Sequence, residues 1–190
     1  MNTIMHDYLP KIFYFISEFN PEHIRKLDKK IAIIYRNYND KYEEKKILEI
    51  KKFCRQFRLK FFLANNIKMV NKLNLDGVYL PSFNVSLKSL KLRDKNINII
   101  GSAHNLNEIF QKKKQGAQLI FLSPIFKVQK SKNYLGVSKF NLLTASINHS
   151  TVALGGINSK NIKKIKILNC YGLASISFIK KYNKISKLII

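Results

Sequence analysis

The stretch that decides the fold is Ile31-Ala32-Ile33-Ile34-Tyr35, followed by a lysine-rich segment from Glu43 to Arg58 and a second apolar run from Lys60 to Leu63. A run that is apolar at nearly every position has no side left for solvent, so a strand built from it is covered on both faces. Within the intervening segment, Ile47, Ile50, Phe53, Cys54 and Phe57 recur at three- and four-residue steps and form one apolar face of a helix. Strand, amphipathic helix and strand, with both strands buried on two sides, is the pattern of a parallel βαβ unit.

The same alternation extends outward in both directions. Further strands are predicted at Ile12 to Ile16, Gly77 to Leu80, Ile97 to Ile100, Leu119 to Leu122, Thr151 to Leu154 and Leu173 to Ile176, which makes eight with the two above. A helix from Pro21 to Leu27 starts after Asn20, and another starts at Asn105, with Glu108 three residues on in the manner of a capping box and Gly116 as its stop. Asn158 or Ser159 opens a helix carrying Ile162, Ile165 and Leu168. Eight such units predict a (β/α)8 TIM barrel with trimmed helices, since the fold typically needs about 250 residues. A flavodoxin-like open sheet, with about five strands, is the alternative architecture.

The chain of 190 residues is 46% hydrophobic, which supports one domain over residues 1–190 and excludes a disordered polycation. No apolar run approaches the roughly 20 residues of a membrane span. The N-terminus shows no signal for export, and Cys54 and Cys170 make neither a disulfide framework nor a CxxC metal spacing. The expected compartment is the cytoplasm. The formal charge of +24 invites a nucleic-acid partner, but it comes from 30 Lys and only 5 Arg, alongside 20 Asn and 26 Ile. That mixture fits AT-biased codon usage. The basic residues also fall on nearly every predicted helix, not on one stripe with interleaved aromatics, so nonspecific nucleic-acid binding ranks low.

Barrel chemistry sits in the loops after the strand C-termini. Leu154-Gly155-Gly156-Ile157-Asn158 leaves a strand through two glycines, so bare amides there can approach a phosphate at the start of the next helix, together with the backbone of Ile176 and Ser177. A tight turn explains the same glycines equally well. His104, at the end of Ser102-Ala103-His104, is a candidate proton carrier, although in isolation it reads more readily as a structural or capping residue, while His6, His23 and His149 lie elsewhere and make a zinc site improbable. Arg36 follows the second strand and suits an anion, although alone it reads equally well as a surface charge. Asn65 and Asn66, Ser82 to Asn84, and the loop from Ser123 through Lys127, Lys130 and Lys132 to Gly136 complete the face.

Taken in order, Asp76-Gly77-Val78-Tyr79-Leu80-Pro81-Ser82, Ile99-Ile100-Gly101-Ser102-Ala103-His104, Gly116-Ala117, Ser123-Pro124-Ile125-Phe126, Leu135-Gly136 and Ala153-Leu154-Gly155-Gly156-Ile157 resemble the thiamine phosphate synthase and TenI family over nearly the whole chain. The resemblance implies a barrel that binds a thiazole phosphate. Synthases couple it to hydroxymethylpyrimidine pyrophosphate with the help of Mg2+, whereas TenI-type members tautomerise the thiazole carboxylate phosphate. It further implies that Gly156, with the backbone near Ile176 and Ser177, holds the thiazole phosphate, that Arg36 helps with the pyrophosphate, and that Lys130 or Lys132 supplies a loop lysine; Asn65, Ser123 and Gly155 are further candidates for phosphate or substrate binding. His104 becomes the acid/base, with Ser102 orienting it or the substrate.

The departures from that family are specific. The basic residue expected two positions after Arg36 is Tyr38, and the two magnesium-binding carboxylates fall on Asn66 and Asn84. Amides in place of carboxylates weaken a Mg2+ site. Two further readings stand beside synthase and tautomerase: a barrel that keeps its phosphate site without catalysis, and the low-ranked nucleic-acid binder. A homo-oligomer is left open.

Overall fold

The computed structural model describes residues 9–38, 42–129, 131 and 133–182. Eight parallel strands close into a barrel in sequence order, each paired with the next and the last with the first. They are β1 (Ile12–Ile16), β2 (Ile31–Tyr35), β3 (Phe61–Ala64), β4 (Gly77–Leu80), β5 (Asn98–Ala103), β6 (Leu119–Leu122), β7 (Thr151–Leu154) and β8 (Gly172–Ser175). The helices on the outside are α1 (Pro21–Arg25), α2 (Glu44–Gln56), α3 (Ile67–Lys72), α4 (Leu106–Lys114), α5 (Gly136–Ile147) and α6 (Ser177–Lys181), and 3-10 segments span Leu87–Lys95 and Ile162–Ile167. The (β/α)8 architecture replaces the open-sheet alternative. Among the described residues no helix is long and apolar enough to cross a membrane.

Side-chain parity explains why the strands read as apolar throughout. Tyr14, Ile33, Leu63, Val78 and Ile120 point outward into the layer between sheet and helices. Phe13, Phe15, Ala32, Ile34, Phe62, Tyr79, Ile100, Phe121, Val152 and Ala174 fill the barrel interior. The interior rings meet edge to face, with Phe13–Phe121 centroids 4.9 Å apart and Phe15–Tyr79 5.0 Å. Gly77 makes room for this packing: a Cβ there would overlap the Phe62 ring and sit 2.6 Å from the Asn98 carbonyl.

Several boundaries move from their sequence-based positions. β3 starts at Phe61 and β8 ends at Ser175, which leaves Ile176 as the residue that precedes α6. β5 continues to Ala103, so Ser102 lies within the strand and not in a loop. The helix expected from Asn158 or Ser159 is a 3-10 segment preceded by Asn161. There the Asn158 amide donates to Asn161 Oδ1 (2.8 Å), and both asparagine side chains donate to the Gly156 carbonyl, so a polar turn uses the residues that would have begun an α-helix. Asn105 caps α4 as expected, with its Oδ1 accepting from the Glu108 amide at 3.0 Å.

Candidate functional site

A cleft of about 930 Å³ opens at the C-terminal ends of the strands. Arg36, His104, Ser123, Gly155, Gly156, Ile176 and Ser177 all line it, brought together from the ends of β2, β5, β6, β7 and β8. Lys127, Val128, Gln129 and Ser131 contribute from the loop after β6, and Asn158 and Ser175 from the far side. Lys130 and Lys132 lie outside the described residues.

The β6–β8 side is shaped by backbone. Phe126 N donates to the Gly155 carbonyl (3.1 Å), and Leu135 N and Gly136 N donate to the Pro124 and Ile125 carbonyls, which ties both ends of the intervening loop to the sheet. Gly156 adopts φ +72°, and a Cβ there would overlap the Phe126 carbonyl and sit 2.7 Å from that of Lys127. The glycine is therefore required by close packing and by its left-handed backbone. This meets the tight-turn reading directly. The amides of Gly156, Ile157, Ile176 and Ser177 have no acceptor among the described residues, so four donors stay open along one wall of the cleft. Because no α-helix follows Gly156, the amides of Gly156 and Ile157 lack the helix-start arrangement expected from the sequence, whereas those of Ile176 and Ser177 stand at the start of α6.

His104 is 48% exposed at the head of α4, with Nδ1 2.9 Å from Glu108 Oε2. Arg36 stacks over the Phe15 ring at 4.9 Å, which sets its guanidinium on the floor of the cleft. Beneath it, Tyr79 is 2% exposed, and burial pushes its phenol pKa up while the neighbouring Ser102 and Arg36 side chains pull it down. Ser102 is buried in this floor and does not line the cleft, a correction to its expected place beside His104. Tyr38 packs edge to face on Phe83 at 5.7 Å.

The β3–β4 side is different. Asn66 Oδ1 caps α3 by accepting from the Met69 amide at 3.0 Å. Asn84 Oδ1 accepts from the Ser86 amide and Gln115 Nε2, and its Nδ2 donates to Asn65 Oδ1 at 2.6 Å. Behind them Lys112, fully buried, donates to the Asn84 carbonyl (2.6 Å) and to Gln115 Oε1 (2.9 Å). Burial pulls the Lys112 pKa down to about 8, with Glu108 opposing. Asn65, Asn66 and Asn84 do not line the cleft. The residues present do not fit Mg2+: the position holds no carboxylate, and both amide oxygens are engaged in structural hydrogen bonds.

Residues 25–179 match the sequence model of the family described as thiamine monophosphate synthase (TMP-TENI). The chain belongs to this family. The thiamine-phosphate synthase of Prochlorococcus marinus subsp. pastoris is 32% identical over 135 residues, covering 70% of this chain and 38% of that protein. The thiamine-phosphate synthase of Methanococcus vannielii is 25% identical, covering 72% of this chain and 68% of that protein. The chain thus spans about two fifths of the length of the Prochlorococcus relatives it matches. Among solved structures, thiamine phosphate pyrophosphorylase from Pyrococcus furiosus shares the barrel fold with a TM-score of 0.76 at 20% identity, covering 95% of each chain. Against this family background, Glu108 and Lys112 stand out as site neighbours: from the sequence Glu108 is legible only in a capping box, and Lys112 is not singled out. The signal for Lys112 was Gly101, whose missing Cβ leaves space for the lysine stem: a Cβ there would sit 2.8 Å from Lys112 Cδ.

Proposed function

We propose that this chain binds a thiazole phosphate in the cleft and moves a proton on its ring through His104, as a thiamine-biosynthesis enzyme of the TenI type acting in the cytoplasm. One observation carries the reading: His104 and the Gly155-Gly156 turn, far apart in sequence, line a single cleft. The phosphate lies against the open amides of Gly156, Ile157, Ile176 and Ser177, with Ser123 and Lys127 beside them. Backbone donors bind a phosphate without needing a charged side chain at each oxygen. The Arg36 guanidinium faces the acidic end of the substrate from the floor. His104 takes a proton from one ring position and returns it at another, so substrate and product are isomers and no second reactant is consumed. Ser102 acts from below, through the Tyr79 and Arg36 contacts, and not by touching substrate.

The names of the relatives favour a second reading, coupling of the thiazole phosphate to hydroxymethylpyrimidine pyrophosphate. Against it stands the poor fit of Asn66 and Asn84 to Mg2+, which in this family assists the leaving pyrophosphate. The test is to incubate the purified protein with thiazole carboxylate phosphate and hydroxymethylpyrimidine pyrophosphate, with and without Mg2+, and to follow tautomer and thiamine phosphate separately. Tautomer conversion lost in His104→Ala is the expected result. Thiamine phosphate formed only with Mg2+ establishes coupling instead. Neither product, with retained binding of the thiazole phosphate, establishes a barrel without catalysis.

A further inference from the structure

We propose that Glu108 is a positioning residue that holds His104 as the Nδ1–H tautomer, leaving the Nε2 lone pair open to the cleft. The observation is a double engagement of one carboxylate oxygen. Glu108 Oε2 accepts from the His104 backbone amide at 2.7 Å and lies 2.9 Å from His104 Nδ1. Its other oxygen, Oε1, accepts from Asn105 Nδ2 at 3.1 Å, and the Glu108 amide donates to Asn105 Oδ1 at 3.0 Å.

A carboxylate at the third position of a helix ordinarily reaches back to the amide of the capping residue. Here the carboxylate reaches one residue further, to the amide of His104, and takes the imidazole of that same residue. Helix capping requires only an amide contact, and the ring contact goes beyond it. An ionised carboxylate accepts and does not donate, so the nitrogen facing it carries the proton and the opposite nitrogen is the acceptor. Because His104 lines the cleft, that acceptor is available to a bound molecule. Glu108 is also held by Asn105, so the ring is fixed from a support that does not itself rotate freely. When the ring takes up a proton, the adjacent carboxylate stabilises the imidazolium, in the manner of an acid that orients a catalytic histidine.

The role in turnover rests on the proton-transfer reading above, whereas the tautomer does not, and the experiment separates the two. The imidazole 15N shifts of the full chain are recorded at a pH where the ring is neutral. His104→Ala identifies the His104 signals among those of the four histidines. The expected spectrum shows a protonated Nδ1 and an unprotonated Nε2, and Glu108→Ala moves the population toward Nε2–H. Glu108→Gln, which preserves size and capping, is expected to lower kcat for tautomer conversion by about 10- to 100-fold with KM within twofold. An Nε2–H ring in the parent chain overturns the inference, as does a tautomer unchanged in Glu108→Ala together with an unchanged kcat in Glu108→Gln. An Nδ1–H ring in a chain without turnover supports the tautomer assignment and overturns the proton-transfer reading alone.

Discussion

On the β7–β8 side of the barrel mouth the amides of Gly156, Ile157, Ile176 and Ser177 have no acceptor among the described residues, whereas on the β3–β4 side each side-chain oxygen of Asn66 and Asn84 already accepts a hydrogen bond. Both sides are built from residues at strand C-termini, glycine, isoleucine and serine on the first and asparagine on the second. The first leaves backbone donors without an acceptor. The second spends its polar groups on tying the β3 and β4 loops to α3 and α4. Position at the mouth of a barrel is therefore not enough to make a residue a ligand, and the decisive question is whether its polar atoms already have partners.

The comparison is broken or sharpened most strongly at His104, which stands between the two sides. His104→Ala is expected to cut tautomer conversion by about 10²–10⁴-fold while thiazole phosphate binding, measured by calorimetry, changes only a few-fold. A comparable loss of binding would place His104 among the ligand-holding groups of the open side.

Gly156→Ala tests whether that side is defined by backbone. With φ +72° and the Phe126 and Lys127 carbonyls against the new methyl, it is expected to cost roughly 2–3 kcal/mol in denaturant unfolding and to weaken phosphate binding in parallel. Full stability in this variant would remove the packing account of the turn.

On the closed side, Lys112→Met keeps most of the stem and removes the ammonium, and it is expected to cost about 2 kcal/mol because the Asn84 carbonyl and Gln115 Oε1 each lose a donor. The pH dependence carries a sign. The folded-state pKa of Lys112 is pulled down to about 8, below its unfolded value, so above that pH the unfolded chain binds more protons and this residue's contribution to stability rises with pH. Comparing unfolding free energies of the parent and Lys112→Met across that alkaline window should show the rise in the parent only.

The smallest effect is expected at Asn84→Asp. It replaces the donor to Asn65 Oδ1 by a second oxygen at 2.6 Å, and the expected cost is about 1–2 kcal/mol. Combined with Asn66→Asp, which preserves the cap on α3, it should give no Mg2+-dependent thiamine phosphate. Recovery of that product would show the closed side to be a metal site lacking only its charges.

The barrel was legible because burial on both strand faces leaves runs such as Ile31-Ala32-Ile33-Ile34-Tyr35 with no polar register, and five of the eight strands begin and end where the apolar runs do. The 3-10 segment Leu87–Lys95 was not, since it buries little beyond Ser89 and Leu92 and shows no sustained helical stripe. At the site, glycine and histidine at strand ends pointed to Gly156 and His104, and the fold brings both to the lining of one cleft. Ser102 was misplaced because β5 runs three residues beyond Ile100, and counting inward-facing positions from Ile100 puts Ser102 in the barrel floor. Lys112 needed its tertiary partner Asn84 on another segment of the fold, whereas Glu108 meets His104 locally, at a four-residue spacing that a capping-box reading leaves unused.

The interior ring column has a mechanical consequence. Aromatic rings occupy several of the inward positions on the short strands, so the barrel interior is bridged along its length by ring contacts. Phe13 near the lower end touches Phe121, Phe121 touches Phe15, and Phe15 carries Arg36 at the mouth. Only two ring contacts separate the packing near the bottom of this barrel from the ring beneath the guanidinium. A change of ring size at Phe13 thus has only Phe121 between it and the ring on which the Arg36 guanidinium rests at the cleft floor.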